Sequence, residues 1–232
     1  MKYDIVYILK NNIDPTELIY SVRSVCKNFD FNSIWFAGGT PEKIKPDHKL
    51  PIQQQGKNKW TKVSNTIREI CLEDNITDNF WLFNDDFFIM RKIPGTLPYL
   101  FDGTIYKRIN ELNKRYRNQT SIYAEQLTAT QLALKNKGYD TLNYALHVPM
   151  LINKEKALQT LNEFHGFPMF RSLYGNHHEV GGITFKDVKI YDLEQYPEGN
   201  EMLLSTTDDS FKNGIVGKYI RKQFPDKCAY ET

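Results

Sequence analysis

The chain has 232 residues, 41% hydrophobic and 13% aromatic, with 30 basic against 28 acidic side chains and a net charge of +2. That length suits one domain with a sizeable buried core. The charge balance excludes a strongly basic nucleic-acid wrapper and a polyacidic tail, but leaves room for a local basic patch. Cys26, Cys71 and Cys228 form neither a CxxC pair nor a zinc spacing, which points to a reduced, cytoplasmic protein. The opening MKYDIVYILKNN is too short in its apolar run for a signal peptide. No run approaches the ~18 apolar residues of a membrane span.

In chain order, residues 3–9, YDIVYIL, predict a first buried strand. Asp14 before Pro15 reads as a helix N-cap with proline at the first helical position, and Glu17 falls at the capping-box place. This helix runs to about Lys27, with Leu18, Val22, Val25 and Cys26 on one face. Residues 33–37, SIWFA, predict a second strand, closed by Gly38-Gly39. A strand–helix–strand opening is the unit of a parallel sheet. Residues 40–62 are irregular and polar, as functional loops often are. A helix over 64–73 leads into FWLFNDDFFIMRK, residues 80–92.

Beyond Pro98 the pattern changes. Tyrosines and basic residues cluster over 99–126, partly helical, and a further helix is expected over 123–137. Residues 143–152, NYALHVPMLI, are apolar but interrupted by His147 and Pro149, and Asn153 caps a helix to about Phe164. FRSLYGNHHEVGG reads as a loop, strand material follows around Lys186–Lys189, and a last helix spans 210–223 after Asp208-Asp209.

The chemistry concentrates at Asn84-Asp85-Asp86, an acidic knot between apolar runs. Two adjacent carboxylates cost several kcal/mol to bury without partners, so the knot either faces solvent as a turn or meets a positive charge. At the end of a strand in an α/β sheet, Mg²⁺ or Mn²⁺ bridging a diphosphate is the expected cation. Lys59, in the run Lys57-Asn58-Lys59-Trp60, is a candidate for holding an anionic donor, or part of a solvated loop. His177-His178 before Glu179 are weak metal candidates, since neighbours on a strand point apart and no third ligand has suitable spacing; His178 is the better candidate for facing a donor. Asp208 most simply caps the last helix. The run Lys114-Arg115-Tyr116-Arg117 reads as a solvated helix face, or as a contact for an anionic acceptor or nucleic acid through charge and stacking.

Four stretches, in order, carry a resemblance. They are YDIVYIL; ELIYSVRSVCKNF with FWLFNDDFF; ALHVPMLINKEKALQTL with FRSLYGNHHE; and TTDDSF through FPDKCAYE. Together they resemble the stealth family of capsule and lysosomal-tag sugar-phosphate transferases, enzymes similar in fold to GT-A glycosyltransferases. The chain lacks that family's Trp-Val-Asp-Gly after the first strand, showing Ile8-Leu9-Lys10-Asn11, and has Thr207-Asp208 where Asn-Asp is usual.

The resemblance implies an α/β, GT-A-like fold: a Rossmann-type, mostly parallel central sheet with flanking helices and a small helical insertion. It implies one catalytic domain over 1–232, with a nucleotide-sugar half at 1–92 and an acceptor and phosphate half at 93–232. The expected reaction moves sugar-1-phosphate from a UDP-sugar to a hydroxyl of a glycan or polymer acceptor. Asp85 and Asp86 would hold Mg²⁺ or Mn²⁺ or assist the acceptor, His147 would serve as base, and Arg171 would clamp phosphate. His147 would alternatively be an electrostatic partner of the transferring phosphate. Arg23, Asn84 and Asp208 would contribute to substrate binding, with Arg23 alternatively bracing its helix. Two other readings stay open: glycosyl transfer with release of UDP, and a non-catalytic glycan- or nucleic-acid-binding module.

Overall fold

The computed structural model describes residues 2–115 and 121–232. In chain order its elements are β1 (Asp4–Leu9), α1 (Pro15–Asn28), β2 (Ile34–Gly38), β3 (His48–Leu50), α2 (Lys59–Leu72), β4 (Asn79–Phe83) and β5 (Phe87–Ile89). There follow β6 (Leu100–Phe101), α3 (Ile105–Arg115), α4 (Ile122–Asn136), β7 (Met150–Asn153), α5 (Lys154–Glu163) and α6 (Phe170–His177). Last come β8 (Ile183–Thr184), β9 (Lys189–Ile190), β10 (Leu203–Thr206), α7 (Asp208–Lys212) and α8 (Ile215–Gln223). The fold is mixed α/β.

Its main sheet runs β3-β2-β1-β4-β7. β1, β2, β3 and β4 are parallel, and β7 closes the edge antiparallel to β4. β1 and β2 are buried on both faces, as apolar strands in a helix-covered parallel sheet must be. The chain leaves β1 towards β2 on one side and returns to β4 on the other. The carboxyl ends of β1 and β4 therefore border a topological switch, where α/β sheets bind ligands. Lys10 and the acidic knot follow those two ends.

A second sheet, β5-β10-β9, begins directly after the knot. Phe87, Ser205 and Lys189 lie in one row across it. The other edge of β5 is closed by α1. Ser21 Oγ donates to the Phe87 carbonyl, Ser24 Oγ accepts from the Ile89 amide at 2.9 Å, and Asn28 donates to the Ile89 carbonyl at 2.7 Å. The polar residues of α1 thus serve as a partner strand, satisfying backbone groups that would otherwise be buried unpaired. The apolar face of α1 packs Leu18, Val22 and Val25, fully buried, at roughly 1.5–3 kcal/mol apiece. Cys26, expected on that face, is exposed. Segments from both sides of residue 92 share both sheets, since β7 joins β4 and β5 joins β10.

Three elements differ from the sequence reading. The stretch from Phe170 is helix α6, not a loop; its buried Phe170, Leu173 and Tyr174 repeat at helical spacing. Gly175 lets the Tyr144 ring lie against that helix, because a Cβ there would sit 2.4 Å from the ring. The final helix is two, broken at Asn213-Gly214. Residues 40–62 contain β3 and the first turn of α2, capped by Asn58 accepting from the Thr61 amide at 3.0 Å. The helices α3 and α4 stand where helix was expected, within 99–126 and over 123–137, and Tyr116 and Arg117 lie outside the described residues. Among the described residues no helix is long and apolar enough to cross a membrane.

Candidate functional site

The knot is a turn between two sheets. The Phe87 amide donates to the Asn84 carbonyl at 3.4 Å, turning the chain out of β4 and into β5. Asp86 is 8% exposed. Its Oδ2 accepts from Lys189 Nζ at 2.6 Å and from Ser205 Oγ at 3.1 Å, both presented by the second sheet. Its Oδ1 is buried with no partner among the described residues. The positive charge the knot requires is thus supplied in part by the chain itself. Among the described residues Asp85 has no such cation in contact. Burial pushes its carboxyl up to about 6, the adjacent Asp86 and more distant Asp208 push the same way, and Lys10 opposes them.

A third carboxylate faces this turn. Glu17 does not complete a capping box; the N-cap Asp14 accepts from the Thr16 amide, and the Glu17 carboxyl accepts from the Thr206 hydroxyl instead. Burial pushes Glu17 up to about 8; the Thr206 hydroxyl opposes this, and Asp86, Asp85 and Asp208 add to it. Glu17 is therefore largely protonated at neutral pH. Asp208 itself is exposed in the first turn of α7, which Thr207 caps in a reciprocal box with Ser210.

His147 comes to the same end of the sheet by register. Leu82 of β4 lies opposite Met150 of β7, so the residues just before β7 neighbour the end of β4. Asp187 holds His147 twice, accepting from its backbone amide at 3.0 Å and from Nδ1 at 2.8 Å. Burial resists ionisation of Asp187, but these His147 contacts outweigh it and keep the carboxyl below its usual range. An ionised carboxylate only accepts, so Nδ1 carries a proton, and in the neutral ring Nε2 is then the nitrogen with the lone pair.

Arg171 joins the two groups. Its guanidinium donates to the carbonyl of Val148, next to His147, and at 3.4 Å to that of Leu82, two residues before the knot. It lies over the Phe87 ring, 5.3 Å from the centroid. Burial pulls it down to about 10, against the pull of Asp86 and Asp187, so it stays charged at neutral pH. Two of its donors are spent on these carbonyls, which makes it a positioning cation for both His147 and the knot.

Other expected residues stand elsewhere. The Arg23 guanidinium forks onto Glu231, 2.7 Å at each oxygen, and reaches the Phe224 and Pro225 carbonyls. It braces α1 against the C-terminal tail. His178 bonds Thr160 and the Lys156 carbonyl on α5, and its ring lies 4.4 Å from that of His177. The two histidines therefore do not point apart on a strand; they end a helix and pack together, with no partner in common with the knot. Lys59 is exposed at the start of α2, its ammonium 4.7 Å from the Trp60 ring centroid.

Asp187, Lys189 and Glu17 escaped the sequence reading as site residues. Asp187 and Lys189 also line an open cleft of about 1100 Å³ between α3 and residues 184–204. Among the described residues no three His, Cys, Asp or Glu side chains converge to cage a metal. A magnesium-type ion needs only one or two carboxylates when substrate phosphates complete its shell. The buried, unpartnered Asp86 Oδ1 beside Asp85 fits that mode. Compared with known proteins, the chain matches no family model and no curated protein sequence.

Proposed function

We propose that this is a GT-A-like transferase using a nucleotide-diphosphate sugar, most simply a UDP-sugar, and moving sugar-1-phosphate to a hydroxyl of a glycan or polymer. One observation carries the reading: the acidic turn at the topological switch and the His147–Asp187 couple are tied to one another through Arg171. An isolated acidic turn would need no such company.

Asp85 and Asp86 would hold Mg²⁺ or Mn²⁺, whose chemistry is to neutralise charge on the departing nucleotide. The chain's own residues do the rest. Nε2 of His147 takes the proton of the acceptor hydroxyl as its oxygen bonds to the sugar-bearing phosphorus and the bond to UMP breaks. Asp187 fixes the ring and stabilises the imidazolium. Arg171 and Lys189 supply fixed positive charge beside the transferring phosphate, the kind of preorganised field that phosphoryl transfer depends on.

Incubation with UDP-sugars, Mn²⁺ and glycan acceptors, followed by separation of the nucleotides, tests this. UMP is the expected product. UDP alone means that the acceptor attacks the anomeric carbon, and the reaction is then glycosyl transfer on the same scaffold.

A further inference from the structure

The cleft bordered by α3 and residues 184–204 is not explained by the donor site. Its volume, about 1100 Å³, exceeds the usual range for a small-molecule pocket and suits a chain. Three of its five lining cations are already matched within the fold; Arg115 and Lys186 are the other two. Lys107 lies 3.4 Å from Asp102 and 3.8 Å from Glu111, Arg108 lies 3.4 Å from Glu111, and Lys189 is taken by Asp86. Asp187, Asp192, Glu198 and Glu201 join Asp102 and Glu111 in the lining, so its six acids outnumber its five bases and a polyanion entering here would meet net negative charge. A neutral polyhydroxyl chain would not be repelled, and would find donors and acceptors side by side.

Two rings complete the wall. Tyr191 is 52% and Tyr196 72% exposed, and both line the cleft. Among the described residues neither packs into the hydrophobic clusters of the fold. An aromatic face carries negative charge density and attracts the weakly positive C–H face of a pyranose. Exposed tyrosines in a cleft whose acids outnumber its bases therefore suit a neutral sugar better than a phosphate backbone. Asp187 stands in the same wall, so a chain lying there ends beside His147.

We infer that the cleft binds a neutral oligosaccharide, with Tyr191 and Tyr196 as its stacking platforms. That this chain is the acceptor rests on the transferase reading; that it binds does not. The test is titration of maltohexaose, cellohexaose and chitohexaose into the intact protein, without nucleotide or metal. Heparin hexasaccharide and oligo-dT serve as charged comparators.

At least one neutral chain is expected to bind, with an affinity indifferent to added salt. Tyr191→Ala or Tyr196→Ala should weaken it about tenfold while leaving the circular dichroism spectrum unchanged. Failure of all three neutral chains, or salt-sensitive binding of heparin or oligo-dT in their place, overturns the inference. Saccharide binding without any nucleotide release would leave the cleft assignment standing and remove the transferase reading. Nucleotide release with no saccharide binding would do the reverse.

Discussion

Lys189 Nζ lies 2.6 Å from Asp86 Oδ2, although the two residues are 103 positions apart in sequence. Both side chains are nearly enclosed, at 14% and 12% exposure. Removing one partner of such a pair strands the other charge, at a cost of about 3–5 kcal/mol. Lys189→Met should therefore lower the thermal midpoint by on the order of 10 °C for a domain of this size. Lys189→Met combined with Asp86→Asn should recover much of that loss. A double-mutant cycle by calorimetry reads the coupling, and simple additivity would mean that the pair does not act as a pair.

Glu17 gives the stability a pH dependence of defined sign. Its folded pKa, about 8, lies above the usual carboxylate range that it takes when unfolded. The folded state binds the extra proton, so its contribution is full below the unfolded pKa and is lost as pH rises through about 8. The slope is at most about 1.4 kcal/mol per pH unit. Glu17→Gln should flatten the stability between weakly acidic and mildly alkaline pH, as read by urea unfolding across a pH series. An unchanged slope would show that Glu17 is ionised in the fold.

His147 and Asp187 are expected to act as one unit. His147→Ala should reduce turnover by about 10² to 10⁴. Asp187→Asn should cost a similar factor, because an amide can donate to Nδ1 and favour the wrong tautomer. The double variant should be barely slower than either single one. Rates of nucleotide release measure all three, and additive losses would separate the two residues.

Arg23 is expected to matter for stability and not for donor affinity. Its pair with Glu231 is nearly enclosed, at 10% and 5% side-chain exposure, and Arg23 holds the Glu231 carboxyl below its usual range. The brace is at full strength above that range and is lost as acid protonates Glu231. Arg23→Gln should lower the thermal midpoint at neutral pH and flatten its fall in acid, since the depressed Glu231 carboxyl no longer contributes to that fall, while leaving the KM for donor unchanged. A raised KM with an unchanged midpoint would return Arg23 to the substrate.

The sheet was legible because its strands are continuous apolar runs and α1 has its cap and its apolar face in plain sequence. The knot was legible because two carboxylates between runs of phenylalanine conflict with burial. Lys189 and Asp187 were not legible. They sit in a short polar stretch with no period, and they reach Asp86 and His147 only through the pairing of β9 with β10 and the fold of the preceding loop. Glu17 was misread because a cap position and an inward-facing acid look alike until Thr206 is brought beside it. The helix α6 was hidden by its glycine and histidines, which usually mark loops; burial of Phe170, Leu173 and Tyr174 overrides their weak propensity.

The central claim is that the acidic turn receives the donor. Its most direct test is calorimetric titration of UDP-glucose, UDP-galactose and UDP-N-acetylglucosamine, with and without Mn²⁺, into the native protein and Asp85→Asn. Burial already disfavours the charge on Asp85, so the amide should fold as well as the acid. The native protein should bind one of these donors only with Mn²⁺, and Asp85→Asn should lose that binding. Equal donor affinity in the two proteins, or no effect of Mn²⁺ on either, would contradict the claim.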